Sequence, residues 1–255
     1  MKIGRLSVIG LGPGDPSQLT AEASAVLAEA NAVYGYGPYL ARVSPRRGQQ
    51  RLASNNREEG SRARAALQHA ETGLHVALVS GGDPGVFAMA AAVCEEIERG
   101  PEIWRSVDVA IIPGITAMLA VAARAGAPLG HDFCAISLSD NLKPWTSIER
   151  RLAAAAFGGF VIAIYNPVSR ARPHQLRAAF GILRRTLPGT TPVLFGRAIG
   201  RCEESLVVST LSSADAISAD MATLVIVGSE HTRVIERPER PPLVYTPRAF
   251  PGGMR

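Results

Sequence analysis

Short apolar runs alternate with longer stretches in which apolar residues recur every three or four positions, and this rhythm fills the first half of the chain. Residues 6–9, 32–34, 75–80 and 107–112 read as buried strands. Residues 21–31, 61–71, 86–99 and 115–125 have helical spacing. Thr20 is placed to cap the first helix, and Gly73 and Gly126 to end the second and the last. Strand then helix, repeated, predicts a parallel sheet with helices on both faces. The rhythm changes at Ala127-Pro128-Leu129-Gly130, which separates a domain 1–128 from a domain 129–255. Strands at 133–137, 160–165, 192–197, 205–209 and 223–227, with helices at 147–156 and 173–186, predict a mixed sheet in the second domain. The tail 236–255, rich in Pro, Gly and Arg, is expected to lie over the surface. The fold class is α/β in two domains, the first mostly parallel and the second mixed.

Four motifs sit at the ends of predicted strands. They are Gly10-Leu11-Gly12-Pro13-Gly14-Asp15, Gly81-Gly82-Asp83-Pro84-Gly85-Val86-Phe87, Pro113-Gly114-Ile115-Thr116-Ala117 and Tyr165-Asn166-Pro167. Ligands of open α/β sheets bind at such ends. Glycine lets the backbone approach a ligand, and proline stiffens the loop. The set therefore describes a rigid cleft that grips a small cofactor mainly with main-chain atoms. Val86 and Phe87 add an apolar wall suited to a flat ring. Thr116 begins a helix, where its hydroxyl either caps the helix or bonds a ligand, and small Ala117 leaves room beside it.

The first motif is no dinucleotide fingerprint. Asp15 stands where G-x-G-x-x-G needs its last glycine, Pro13 lacks an N–H, and the strand ending in Val33-Tyr34-Gly35 offers no acid for a ribose. No G-x-x-x-x-G-K-[ST] occurs either.

Composition narrows the picture little. With 47% hydrophobic and 19% charged residues over 255, the chain is ordinary for a globular protein. No apolar run reaches the ~20 residues of a membrane helix, and the first residues lack a signal peptide's pattern, so a cytoplasmic protein without a membrane partner is expected. Cys94, Cys134 and Cys202 form no C-x-x-C pair, and the histidines are scattered, so no metal is expected. Charge changes the picture more. Arg42, Arg46, Arg47, Arg51, Arg57, Arg62 and Arg64 face only Glu58 and Glu59, a local excess equal to the net +5 of the whole chain. Such a run is either a solvated face or a field for a polyanion, and arginine favours bidentate contacts with carboxylates or phosphates. Few aromatics are interleaved, which argues against single-stranded nucleic acid.

In their order and spacing the motifs resemble the tetrapyrrole methylase family, the class III S-adenosylmethionine-dependent methyltransferases, over residues 6–229. The resemblance implies two α/β domains with the cofactor in the cleft between them, and a homodimer. It implies that Gly81, Gly82 and Asp83, with Val86 and Phe87, hold the methionine end of S-adenosylmethionine. Thr116 and Ala117 then sit beside it, Tyr165 flanks the adenine, and Asn166 begins the hinge into the next helix. Arg197, Ala198, Ile199, Thr223 and Leu224 match segments whose backbone contacts adenine and ribose. Gly12, Pro13, Gly14 and Asp15 face the substrate trough.

Three details resemble the branch of the family that methylates a precorrin and contracts its ring. They are Ser54-Asn55-Asn56-Arg57-Glu58-Glu59, Tyr165-Asn166-Pro167-Val168-Ser169-Arg170, and Gly196-Arg197-Ala198-Ile199-Gly200-Arg201 with Glu203-Glu204; Tyr245-Thr246-Pro247-Arg248 fits too. The substrate would be a polycarboxylate tetrapyrrole, with Arg57 holding peripheral acids and S-adenosylhomocysteine as by-product. Methyl transfer from a sulfonium is a direct displacement that needs alignment and a dry site. Ring contraction needs a proton acceptor for a hydroxyl. Asp15 is the candidate, with Glu58 behind it; a carboxylate bracing its own loop is the equal alternative. His131 follows the domain boundary and reads as loop filler. Other members of the family, acting on cobalt-bearing or earlier precursors, on RNA or on a translation factor, remain the rivals. A nucleotide-binding protein without methyl transfer is opposed by the failed fingerprint.

Overall fold

The structure is a computed structural model that describes residues 3–249. The chain packs as two compact units, Met1–Ala117 and Met118–Arg255. The first contains β1 (Arg5–Gly10), α1 (Ala21–Glu29), β2 (Ala32–Tyr36), α2 (Gly37–Leu40), β3 (Gln50–Ser54), α3 (Glu59–Glu71), β4 (His75–Ser80), α4 (Met89–Arg99) and β5 (Asp108–Ile112). Its sheet runs β3-β2-β4-β1-β5 with every pair parallel. A parallel sheet is covered on both faces, so its central strands must be apolar throughout. Leu6, Val8, Val76 and Leu78 feed the cluster on one face, with Leu67, Val93 and Trp104. The alternate residues Ile9, Ala77 and Val79 feed the other, with Leu27, Val33 and Ile112. The one polar residue inside β1, Ser7, is fully buried and shares a hydrogen bond with His75 Nε2 (3.1 Å). Thr20 Oγ1 accepts from the Ala23 N–H (3.1 Å) and caps α1, and Gly73 leaves α3 at φ +96°.

The second unit continues through α5 (Ala117–Ala125), β6 (Gly126–Ala127), β7 (Phe133–Ser137), α6 (Trp145–Phe157), β8 (Val161–Tyr165), α7 (Gln175–Leu183), β9 (Pro192–Arg197), β10 (Ser205–Thr210), β11 (Thr223–Val227), β12 (Arg233–Arg237) and β13 (Arg240–Tyr245). Its main sheet runs β10-β9-β11-β8-β7, antiparallel except for β8 with β7. The mixed sheet expected for this half is therefore present. The core lies between that sheet and α6 and α7, around Leu138, Ile148, Leu152, Ile162, Phe180 and Leu183.

Several elements depart from the pattern-based expectation. The helix expected from residue 86 begins at Met89, because Phe87 takes φ +52°, outside helical space. The one expected from 115 begins at Ala117, and the 173–186 helix shortens to α7. The strand β3 has no regular alternation to betray it; it is an edge strand of mixed exposure. The tail does not simply lie over the surface. There β13 pairs antiparallel with β12 and parallel with β6, and Val244 is fully buried. Thr246 Oγ1 donates to the Pro128 carbonyl (2.6 Å) and shares a bond with Thr232 Oγ1 (2.9 Å). A prolyl- and arginyl-rich composition hid a strand that lies between β12 and the two-residue β6. Residues 250–255 of that tail lie outside the described residues.

Candidate functional site

In the first unit, parallel register sets the carboxyl ends of β1, β4 and β5 side by side, with Gly10 opposite Ser80 and Ile9 opposite Ile112. The first three motifs therefore leave one sheet edge together, at the place where open α/β sheets bind ligands. They touch main chain to main chain. The Gly12 N–H donates to the Gly82 carbonyl (3.1 Å) and the Gly82 N–H to the Gly12 carbonyl (2.9 Å). A Cβ on Gly114 would stand 2.3 Å from the Gly82 oxygen, and one on Gly10 would stand 2.7 Å from the Gly114 nitrogen. Any side chain there would push the loops apart.

Two charged side chains lock the same loops. Asp83 Oδ1 accepts from the Gly85 N–H (2.8 Å), and Oδ2 accepts from the Gly114 N–H (3.0 Å). The carboxylate thus ties the second motif to the third. Arg42 Nη2 donates to the carbonyls of Leu11 (2.7 Å) and Gly12 (3.0 Å). Asp15 is exposed, and its Oδ1 accepts from the Ser17 N–H (2.8 Å), capping a short 3-10 turn over Pro16–Gln18. The loop-bracing role foreseen for Asp15 is present in the structure. Pro13 and Gly14 are half-buried beside it. Val86 is half-buried, Phe87 is half exposed, and Thr116, 5% exposed, directly precedes α5.

In the second unit, antiparallel pairing brings distant residues to one edge. Arg197 lies opposite Thr223 and Gly196 opposite Leu224, while Val225 faces Ile164 near the end of β8. The Tyr165 hydroxyl accepts from the Met118 N–H (3.1 Å). Asn166 Nδ2 donates to Ser137 Oγ (2.9 Å), and the Asn166 carbonyl accepts from Arg172 Nη1 (3.3 Å). Asp220 joins the other two strands, accepting from Arg197 Nε (2.8 Å), Thr223 Oγ1 (2.8 Å) and the Ala222 N–H (2.9 Å). Burial pushes the Asp220 carboxyl up, but the bonds from Thr223, Arg197 and Ala222 outweigh it and hold the group below the usual carboxylate range. Ala198 and Ile199 are buried, and the Ala198 N–H donates to the Ala222 carbonyl (2.9 Å).

Backbone strain marks the same places independently. Among the described residues, the non-glycines at positive φ are Arg57 (66°), Phe87 (52°), Asn166 (51°), Ala198 (48°) and Glu239 (57°). The first four are residues expected at the ligands. Left-handed backbone costs a non-glycine residue on the order of 1–3 kcal/mol and clusters at functional sites.

The arginine run does not act as one field. Arg42 holds the first loop, Arg51 Nη2 donates to the Leu40 carbonyl (2.7 Å), Arg64 pairs with Glu96 (2.9 Å), and Arg62 is buried. Arg46, Arg47 and Arg57 are exposed. Charge counting along the sequence could not see that the other four are spent on main chain, thioether and carboxylate.

Four residues escaped the motif reading: Tyr39, Arg42, Arg62 and Arg172. The Tyr39 ring lies against Gly81, where a Cβ would stand 2.7 Å from Cζ, and meets Tyr36 edge-on at 5.5 Å between centroids. The position of Tyr39 just after β2 was the available signal for it. Nothing local marks the arginines, whose acceptors lie up to 34 residues away.

The model of the tetrapyrrole (corrin/porphyrin) methylases matches residues 5–215. The chain belongs to the tetrapyrrole methylase family. This member is 61% identical over 249 residues to the precorrin-3B C(17)-methyltransferase of Sinorhizobium sp, covering 98% of each chain. The crystal structure of the methyltransferase CobJ superposes with a TM-score of 0.90 at 49% identity, over 96% of this chain and 100% of that one. Uroporphyrin-III C-methyl transferase from Thermus thermophilus, complexed with S-adenyl homocysteine, gives 0.67 at 25% identity over 88% of this chain and 97% of that one. No described helix of this member is long and apolar enough to cross a membrane.

Proposed function

We propose that this tetrapyrrole methylase transfers a methyl group from S-adenosylmethionine to C(17) of precorrin-3B, with ring contraction to precorrin-4, in cobalamin biosynthesis. The observation that carries the reading is the 61% identity to a precorrin-3B C(17)-methyltransferase across 98% of both chains. The cofactor would be held by Gly81, Gly82, Asp83, Val86, Phe87, Thr116 and Ala117 of the first unit. Tyr165, Asn166, Arg197, Ala198, Ile199, Thr223 and Leu224 of the second complete the set.

The residues fit such a ligand. The loops offer main chain at a sheet edge, and Gly82, at φ +67°, carries no side chain to fill the space in front of Thr116. When bound, S-adenosylmethionine supplies a methyl group on a cationic sulfur. The chain's part is alignment and exclusion of water. The Gly12–Gly82 pair, Asp83 and Arg42 keep the loops from rearranging, so little ordering is left to pay at binding. Exposed Arg57 would hold carboxylates of the macrocycle, and Gly12 to Asp15 would face it. Asp15 would take the hydroxyl proton during ring contraction, with the Ser17 N–H holding its carboxylate in place. Domains 1–128 and 129–255, a cytoplasmic setting and a homodimer belong to the same reading, the last checked by sedimentation.

The test is incubation with methyl-labelled S-adenosylmethionine and precorrin-3B, followed by mass and NMR spectra of the product. One new methyl at C(17) with a new acetyl group is expected. Absence of transfer, with S-adenosylhomocysteine still bound, would keep the family and discard this substrate in favour of cobalt-bearing or earlier precursors. Asp15→Asn should lower kcat by about 10²–10⁴-fold if the carboxylate is the proton acceptor. An unchanged kcat leaves Asp15 as a loop brace alone.

A further inference from the structure

The buried guanidinium of Arg62 has no part in the motifs, yet it organises a segment they depend on. It lies in α3 and is 5% exposed. Its Nε donates to Ser54 Oγ at the end of β3, its Nη2 to the Asn55 carbonyl (2.6 Å), and its Nη1 to Met89 Sδ (3.3 Å). Ser54 and Asn55 open the turn that carries Arg57, and Met89 is the first residue of α4, directly behind the second motif. A carboxylate closes the turn from the other side. Glu58 Oε2 accepts from the Asn55 N–H (2.8 Å), and the Glu58 carbonyl accepts from the Arg62 N–H (2.9 Å).

Between these contacts Arg57 sits at φ +66°, its N–H donating to Asn56 Oδ1 (3.0 Å) and Glu59 Oε1 (3.3 Å), with the residue exposed. A strained backbone persists only where its surroundings over-determine it. Here those surroundings are one buried arginine, Glu58 and Glu59, and the side chain of Asn56. Burying a guanidinium is costly unless its donors are used, so a planar fork spanning three acceptors fits the position better than a lysine would.

We propose that Arg62 is a positioning residue for substrate recognition: it fixes the 54–58 turn so that Arg57 presents its guanidinium to a carboxylate of the tetrapyrrole. The proposal rests on the functional reading given for the site, and the experiment separates the two. Arg62→Lys keeps the charge and removes the fork. With wild-type turnover of precorrin-3B as reference, it should raise the KM for precorrin-3B about tenfold, the equivalent of one hydrogen bond to a charged group. Both kcat and the KM for S-adenosylmethionine should stay within about twofold, because Met89 keeps its place in the core cluster. In an Arg57→Ala background the same change should add nothing further to KM. An effect that persists there undiminished, or that falls on kcat instead, overturns the assignment.

Hydrogen exchange decides the matter without substrate. Amides of residues 54–58 should exchange about tenfold faster in Arg62→Lys than in the wild type. If the wild type fails to methylate precorrin-3B, the functional reading falls, and unchanged exchange would then sink the positioning role by itself. Should Arg62→Lys not fold, Ser54→Ala, which removes one acceptor of the fork, takes its place with the same readouts.

Discussion

Glycine does two jobs at the residue scale. At Gly82 it supplies positive φ, and at Gly10 and Gly114 it lets three loops meet main chain to main chain. The second job makes a sharp prediction. Gly114→Ala places a carbon 2.3 Å from a backbone oxygen that cannot swing away, so the loops must separate. A loss of about 1–3 kcal/mol in urea unfolding is expected, as for other overpacked sites, together with weaker S-adenosylhomocysteine binding by calorimetry. Full stability with full binding would mean the loops are not locked. The glycines themselves were legible in the sequence as turn formers. Their reason was not, because it lies in neighbours about 30 and 70 residues apart in the chain.

At the scale of elements, the second unit ties its strand ends with a carboxylate. Asp220 links the end of β9 to the start of β11. A carboxyl held below its usual range binds fewer protons folded than unfolded over the interval between the two values. Stability then rises with pH across that interval. The contribution is complete above the unfolded value of about 3.9 and is lost as pH falls through the lower folded one. Melting temperatures of wild type and Asp220→Asn should therefore differ at pH 7 and converge as pH drops below about 4. A constant gap down to pH 3 would place the effect elsewhere. Both partners of the Arg197 ion pair are nearly half exposed, so high salt should also narrow the gap. Strands and helices at this scale were largely readable from periodicity. The exceptions were β3 as an edge strand, β13 as a strand between β12 and distant β6, and the start of α4, delayed by the positive φ of Phe87.

For the whole molecule, the family and the α/β architecture follow from full-length similarity, and the cofactor reading adds a test of its own. S-adenosylhomocysteine at 100 times its Kd should stabilise the chain by about 2.7 kcal/mol, visible as a rise in melting temperature. Substitutions at Gly82 in the first unit and at Ala198 in the second should each reduce that rise. A rise untouched by changes in the second unit would remove Arg197 to Leu224 from the proposed site.

The sequence by itself determined the alternation of strands and helices, the turn chemistry at four strand ends, and through their order the family. These are local properties, set by side-chain period, by φ preference and by spacing along the chain. The tertiary structure alone decided which charges are available and which are used up. It turned seven neighbouring arginines into two struts on backbone carbonyls, a buried fork, a surface ion pair with Glu96 and three further exposed cations, and it made Asp83 a clasp between two motifs. The physical reason is that a charged side chain is defined by its hydrogen-bond partners. Those partners are mostly backbone carbonyls that accept and N–H groups that donate, which the main chain provides whatever the residue type and no sequence pattern records.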